Sequence, residues 1–83
     1  MNLEVIYVSQ GDIWLKSEYK RVRVLGEALI ASMPTEPSYV VDLNSLNNWE
    51  MPSDVPLTET EKQDVVSTIQ KHFQDRGSLV EFE

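Results

Sequence analysis

The stretch Asp12–Val24, DIWLKSEYKRVRV, alternates apolar and polar residues, and this alternation decides the fold. Pairing residues 13–16 with residues 21–24 across a loop at 17–20 places every side chain on one of two faces. The core face then holds Ile13, Leu15, Val22 and Val24, and the outer face holds Trp14, Lys16, Arg21 and Arg23. In this register Trp14 lies opposite Arg23, which predicts a cation–π contact worth ~0.5–1 kcal/mol. The stretch therefore predicts a β-hairpin with one face in the hydrophobic core.

Further strands are predicted on both sides of this hairpin. Leu3–Ser9 is β-branched and aromatic with apolar residues on both faces, so we expect a strand that is covered on both sides. Gly26 interrupts an apolar run and indicates a bulge or a bend. Tyr39–Leu43 predicts a strand whose odd-numbered residues share one face, with Asp42 on the other. Leu79–Glu83 predicts a final strand.

One helix is predicted, from Thr58 to Arg76. Thr58-Glu59-Thr60-Glu61 has the form of a capping box, in which Thr58 binds the amide of Glu61 and Glu61 binds the amide of Thr58. Gly77 supplies the left-handed residue that commonly ends a helix. The apolar stripe that should face the core consists of Val65, Val66, Ile69 and Phe73.

These elements predict an α+β fold with one domain over residues 1–83. We expect an antiparallel, curved sheet of about five strands that packs on one face against the C-terminal helix, with a final β-strand after the helix. A chain of 83 residues buries only roughly 60–65 % of its unfolded surface. It therefore has room for a core and one working surface, but hardly for a deep enclosed active site.

The charge of the chain is negative and unevenly distributed. The formal net charge is −7 at pH 7, and most of it lies in residues 41–83, where acids greatly outnumber bases. Such a field repels nucleic-acid phosphates and anionic membranes. We therefore expect no direct nucleic-acid ligand and no membrane partner.

The acids concentrate around an irregular segment, Asn44–Pro56, which is rich in turn-forming residues and long for a loop. A lopsided acidic field attracts basic partners, and an aromatic side chain can anchor the contact. Trp49 is equally well interpreted as such an anchor or as a core residue folded under its loop. Binding a partner and plain solvation are both open for the loop. The candidate partner-binding residues are Asp42, Trp49, Glu50 and Asp54.

The sequence offers little for catalysis. With no cysteine and one histidine, His72, a zinc site of His and Cys ligands cannot form. No serine lies in a Gly-x-Ser-x-Gly context, and the three glycines are too dispersed for a phosphate loop. A carboxylate pair or magnesium site among Asp42, Glu50 and Asp54 is a weaker alternative to partner binding. We therefore expect no catalytic, cofactor-binding or metal-binding residues, and a protein that is not an enzyme.

The N-terminal residues and the hydropathy predict a cytoplasmic location. Residues 1–10 lack a basic segment, and no apolar run approaches the ~20 residues that are needed to span a bilayer. The absence of cysteine fits a reducing compartment.

Five segments, in this order and spacing, resemble the Immunity protein 74 family of bacterial polymorphic-toxin systems, which includes contact-dependent growth-inhibition loci. The resemblance covers about residues 11–83. The segments are Gly11-Asp12-Ile13, Val22-Arg23-Val24-x-Gly26-Glu27-Ala28-Leu29, Tyr39-Val40-Val41-Asp42-x-x-Ser45-Leu46-x-x-Trp49, Pro56-Leu57-Thr58-x-x-Glu61-Lys62 and Gly77-x-x-Val80-Glu81-Phe82.

The resemblance implies a cytoplasmic protein that binds and blocks a cognate toxin domain. Many such toxins are nucleases with basic substrate grooves, which an acidic inhibitor would complement. The same acidic composition would also suit a non-enzymatic adaptor or assembly subunit that binds a basic protein partner. A toxin reading frame immediately upstream would favour the immunity interpretation.

Overall fold

The computed structural model describes residues 2–83 as one five-stranded sheet with one α-helix. The elements are β1 (Glu4–Val8), β2 (Asp12–Ser17), β3 (Lys20–Ala28), β4 (Tyr39–Val41), a 3₁₀ turn (Leu43–Ser45), α1 (Glu59–Gln74) and β5 (Val80–Phe82). The strand order in the sheet is the order in the chain. The first three pairings are antiparallel, whereas β4 and β5 pair in parallel because α1 carries the chain back between them. The predicted α+β fold is confirmed, with a mixed sheet where a wholly antiparallel one was expected.

The β2–β3 hairpin has the predicted register. Trp14 pairs with Arg23, and the four apolar side chains of the core face are fully buried. The turn is shorter than expected, because Ser17 pairs with Lys20 and leaves only two residues between them. The predicted cation–π contact at Trp14 is wrong. The guanidinium of Arg23 instead donates to Asp12, with 2.7 Å between Nε and Oδ2.

Helix α1 begins and packs as its sequence predicts. Thr58 is the N-cap and both bonds of the capping box are present. The helix ends at Gln74, two residues before the predicted end, and Gly77 follows with a φ of 71°. The ring centroids of Phe73 and Tyr39 lie 5.6 Å apart, which joins the helix to β4 in the core. Of the predicted stripe, Val66 is only half-buried, and the residues that α1 fully buries are Val65, Ile69 and Phe73.

Strand β1 is an edge strand, and the expectation that it is covered on both sides is wrong. Val5 packs against the core, but Ile6, Tyr7 and Val8 are exposed. The pairing with β2 shifts between Val5 and Tyr7, so the strand carries a bulge at this point. No other strand among residues 2–83 pairs with its free edge. Its apolar residues therefore reflect β propensity more than burial.

Two predictions about the middle of the chain need correction. Strand β3 continues through Gly26 without a bulge, and the glycine is needed for another reason. A Cβ there would lie 2.4 Å from the carbonyl oxygen of Val40 and 2.6 Å from the Tyr39 ring. Leu43 does not share a face with Tyr39, because the strand ends at Val41 and Asp42 caps the 3₁₀ turn.

The helix of the described residues does not have the length and apolar character to cross a bilayer.

Candidate partner-binding surface

Trp49 is a core residue. Its side chain is only 2 % exposed, and its backbone amide donates to Val55 across the loop at 2.8 Å. Leu46 and Leu57 are buried beside it in the same hydrophobic cluster. The segment 44–56 is thus an irregular loop that folds its aromatic side chain inward. Of the two interpretations of Trp49, the structure supports the core residue, and the exposed anchor is wrong.

Lys20 belongs to the support of this loop and is not available as a free surface base. Its ammonium lies 5.1 Å from the centroid of the Trp49 ring and 3.4 Å from Oε2 of Glu61. The other carboxylate oxygen of Glu61 accepts from the Thr58 amide at 2.9 Å. This backbone bond, followed by Lys20, lowers the pKa of Glu61. Lys20 and Glu61 therefore connect the hairpin turn, Trp49 and the start of α1.

The three carboxylates proposed with Trp49 are all exposed, but the structure does not gather them. The Asp42 amide donates to the Leu25 carbonyl, and the Glu50 amide donates to the Arg21 carbonyl, both on β3. Four residues of strand separate these two attachment points by about 13 Å. Asp54 lies farther along the loop, with a φ of 65°. Asp42 therefore belongs to a different part of the surface from Glu50 and Asp54.

Asp42 is part of a cluster of acids contributed by three strands. Glu27, Val40 and Glu81 lie side by side on β3, β4 and β5, and all three alternate with core-facing residues. Just beyond the ends of β4 and β5, the Glu83 amide donates to the Val41 carbonyl, and the Leu43 amide donates to the Glu83 carbonyl. This bonding places Asp42 next to Glu83. We call the four exposed carboxylates the acidic sheet surface: Glu27, Asp42, Glu81 and Glu83.

Part of the acidic sheet surface surrounds a shallow concavity. The concavity has a volume of about 280 Å³, and three of the acids, Glu27, Asp42 and Glu83, line it with Leu25 and Val40. Sequence reasoning found only Asp42, since the other acids join it through strand pairing. The alternation of Glu81 and Glu83 about Phe82 was the one local indication that both face away from the core.

No base neutralises this surface within the described part of the chain. The ion pairs there are Lys16 with Glu4, Lys20 with Glu61, Arg23 with Asp12, and Lys62 with Glu59. Like charges on neighbouring strands are destabilising. None of the four carboxylates has an ion-pair partner within residues 2–83, and only Asp42 has a compensating contact, because it accepts from the Asn44 amide at 2.9 Å.

The hairpin end of the same sheet is electrostatically balanced. Arg23 is paired with Asp12, and the pKa of Asp12 is lowered first by the hydrogen bond from the Ser9 hydroxyl and then by Arg23. Lys16 lies 3.4 Å from Glu4. Arg21 is exposed. Most charges at this end of the sheet are therefore paired, with Arg21 as an exposed base, whereas the acids at the other end form no ion pairs within residues 2–83.

No three or more His, Cys, Asp or Glu side chains of residues 2–83 are placed to hold a metal ion. The acids of the acidic sheet surface are spread over three strands.

These features define a small α+β domain with an acidic exposed surface and a compact core. The chain belongs to the Immunity protein 74 family, whose model matches residues 5–83. The resemblance seen over residues 11–83 is thereby confirmed and extended through most of β1. Neither the comparison with curated proteins nor the comparison with solved structures found a match. Membership of the family gives the chain the role of an immunity protein, and its partner is a cognate toxin protein.

Proposed function

We propose that this immunity protein neutralises its toxin by covering the toxin's active site with the acidic sheet surface. The observation that carries the proposal is the set of four exposed carboxylates that no base of residues 2–83 pairs with. Binding a basic partner would relieve the repulsion between these carboxylates, and this relief would contribute to the free energy of binding. The protein acts by occupying space and needs no catalytic group.

The chemistry of the surface favours a toxin whose active site is basic, such as a nuclease that binds phosphates. A basic substrate groove and an acidic inhibitor attract each other over about a Debye length and associate rapidly. The complex would form in the bacterial cytoplasm and protect the producing cell, as in contact-dependent growth inhibition.

Glu50 and Asp54 extend the acidic field beyond the acidic sheet surface. Both are exposed at the tip of the loop, roughly 13 Å or more from Asp42 along β3. We propose that they mainly speed encounter with the toxin, whereas Asp42 lies within the contact itself. Trp49 supports the loop from beneath and does not touch the partner.

Two variants of equal charge change test this assignment. The first, Asp42→Asn with Glu83→Lys, alters the acidic sheet surface and keeps an amide oxygen that can cap the 3₁₀ turn. The second, Asp54→Asn with Glu50→Lys, alters the loop tip and keeps a residue that tolerates the positive φ. Binding to the cognate toxin domain is measured by stopped flow at several salt concentrations, with circular dichroism as the folding control.

The first variant is expected to slow association, speed dissociation and lose protection of growth. The second is expected to slow association only, with a weaker salt dependence than that of the parent. Parental binding and protection by the first variant, once folding is verified, would place the contact elsewhere, with the strand face around Arg21 and Arg23 as the next candidate.

A further inference from the structure

A second concavity lies beside the acidic sheet surface, at the end of the β2–β3 hairpin that is opposite its turn. It has a volume of about 610 Å³ and is open to solvent. It shares Gly26 and Glu27 with the smaller acidic concavity, so the two lie next to each other. The residues that line it are Gln10, Gly11, Gly26, Glu27, Ala28, Leu29 and Ile30. Its lining combines the backbone of two glycines, several apolar side chains and one carboxylate.

Gly11 keeps this concavity open, although the fold does not need a glycine there. Its φ is not in the left-handed region, and a Cβ at this position would meet no atom within 4 Å. Gly26 is the opposite case, because a Cβ there would collide with Val40 and Tyr39. A glycine costs conformational entropy wherever another residue would fit. Gly11 therefore leaves open space for a group that approaches from outside.

Ile30 is the most exposed large apolar side chain at this end of the molecule, with 97 % of its surface in contact with solvent. The residue that precedes it, Leu29, is bonded to the neighbouring segment. The amide of the preceding Leu29 donates to Ser38 at 2.9 Å, and the Ser38 amide donates to Leu79 at 2.9 Å. Leu29 and Ile30 are adjacent exposed apolar residues beside a concavity, and contiguous exposed apolar surface can mark an interaction site.

We propose that this concavity receives a long basic side chain, arginine or lysine, from the toxin. The aliphatic stem would lie on Leu29 and Ile30 over the Gly11 backbone, and the cation would reach the unpaired carboxylate of Glu27. A neutral apolar side chain would leave that carboxylate without a partner, and an acidic one would be repelled. The inference rests on the proposed function, since it names the group of the toxin that this surface recognises.

Direct binding of the side chain is tested with small probes. Isotope-labelled protein is titrated with N-acetyl-arginine amide and, separately, with N-acetyl-norleucine amide, and amide shifts are followed by nuclear magnetic resonance. Saturable shifts at Gly11, Gly26 and Glu27 are expected with the arginine probe and not with the norleucine probe. Gly11→Leu should abolish them, whereas Gln70→Leu, which adds the same side chain to the exposed side of α1, should not. Equal shifts with both probes, or shifts that survive Gly11→Leu, would overturn the proposal.

The contribution to toxin binding is measured on the complex with the cognate toxin domain. Gly11→Leu and Ile30→Ala are each expected to weaken binding about tenfold or more. Ile6→Ala, which trims an exposed isoleucine on the remote edge strand, is the matched control and should bind like the parent.

The outcomes separate the two proposals. If the parent forms the complex and both concavity variants bind equally well, the concavity proposal fails while the proposed function stands. If the parent forms no complex and gives no rescue of growth, the proposed function fails, and the arginine titration decides the concavity by itself. Concentration-dependent dimerisation of the parent that is lost in Ile30→Ala would show a second copy as the occupant and would also overturn the proposal.

Discussion

At the scale of single residues, Trp49 shows how a loop can be fixed by one side chain. The indole is buried, its ring contacts Lys20, and its N–H helps to lower the pKa of the nearby Glu61 carboxyl without reaching full hydrogen-bond geometry. We therefore expect most of the stabilising contribution of Trp49 to come from packing and from the contact with Lys20.

We expect Trp49→Ala to lower the free energy of unfolding by ~3–5 kcal/mol, because it leaves a large cavity in a small core. Trp49→Phe should cost clearly less, since it keeps an aromatic ring in the core. Urea denaturation followed by circular dichroism measures both. A loss below ~1 kcal/mol for the alanine variant would mean that the loop packs without this side chain.

The two glycines of the concavity should respond in opposite ways to a methyl group. Gly26→Ala must displace the Val40 carbonyl or the Tyr39 ring, so we expect it to destabilise the protein by more than ~1 kcal/mol. Gly11→Ala meets no atom and should leave stability unchanged or raise it by up to ~1 kcal/mol. Thermal melts of the two variants side by side give the comparison, and equal melting temperatures would contradict it.

At the scale of elements, the capping box makes the start of α1 sensitive to acid. The pKa of Glu61 is lowered in the folded protein, chiefly by the Thr58 amide and further by Lys20. The stabilisation is therefore fully present above the unfolded pKa of about 4.3, and it is lost as the pH falls toward the folded value.

We expect Glu61→Gln, which keeps an acceptor for the Thr58 amide but has no charge, to flatten this part of the pH profile. The parent should be more stable than the variant at pH 7, and the difference should shrink steadily below about pH 4.3. Unfolding free energies from urea titrations at several pH values provide the test. A constant difference across this range would show that the charge of Glu61 does not support the helix start.

The elements that could be predicted are those whose pattern is local. The alternation of Asp12–Val24 and the capping box at Thr58 each depend on residues close in the chain, and both are found as expected. The cover over β1 and the direction of β5 depend on how distant segments meet, and the sequence pattern is the same for an edge strand or a central one. Both of these predictions therefore needed correction.

Only part of the acidic sheet surface could be predicted from the sequence, for the same reason. Asp42 was proposed because it is one of the acids that concentrate around the irregular segment 44–56. Glu27, Glu81 and Glu83 come from other strands, and only the pairing of β3, β4 and β5 brings them to Asp42. Trp49 was left undecided because an aromatic residue in a loop is equally compatible with a core and with an interface.

At the scale of the whole molecule, the uneven distribution of charge links stability to binding. The acids of the acidic sheet surface repel one another in the free protein, and salt screens this repulsion. We therefore expect this surface to lower the stability of the free protein and to favour binding of a basic partner.

We expect Glu83→Gln to raise the free energy of unfolding in low salt by ~0.2–1 kcal/mol, because it removes one of the two adjacent charges at Asp42 and Glu83. The gain should fade in 1 M salt, where the Debye length is only about 3 Å. Urea titrations at both salt concentrations measure the difference. A gain that persists in high salt would point to a cause other than charge repulsion.

The parallel pairing of β4 with β5 has a consequence for the order in which the protein folds. The paired residues Val41 and Phe82 are about 40 residues apart in the chain, whereas the β2–β3 pairs are separated by little more than a turn. Closing the longer loop costs more chain entropy. We therefore expect the hairpin to form before β5 joins the sheet, so that the acidic sheet surface is completed only late in folding.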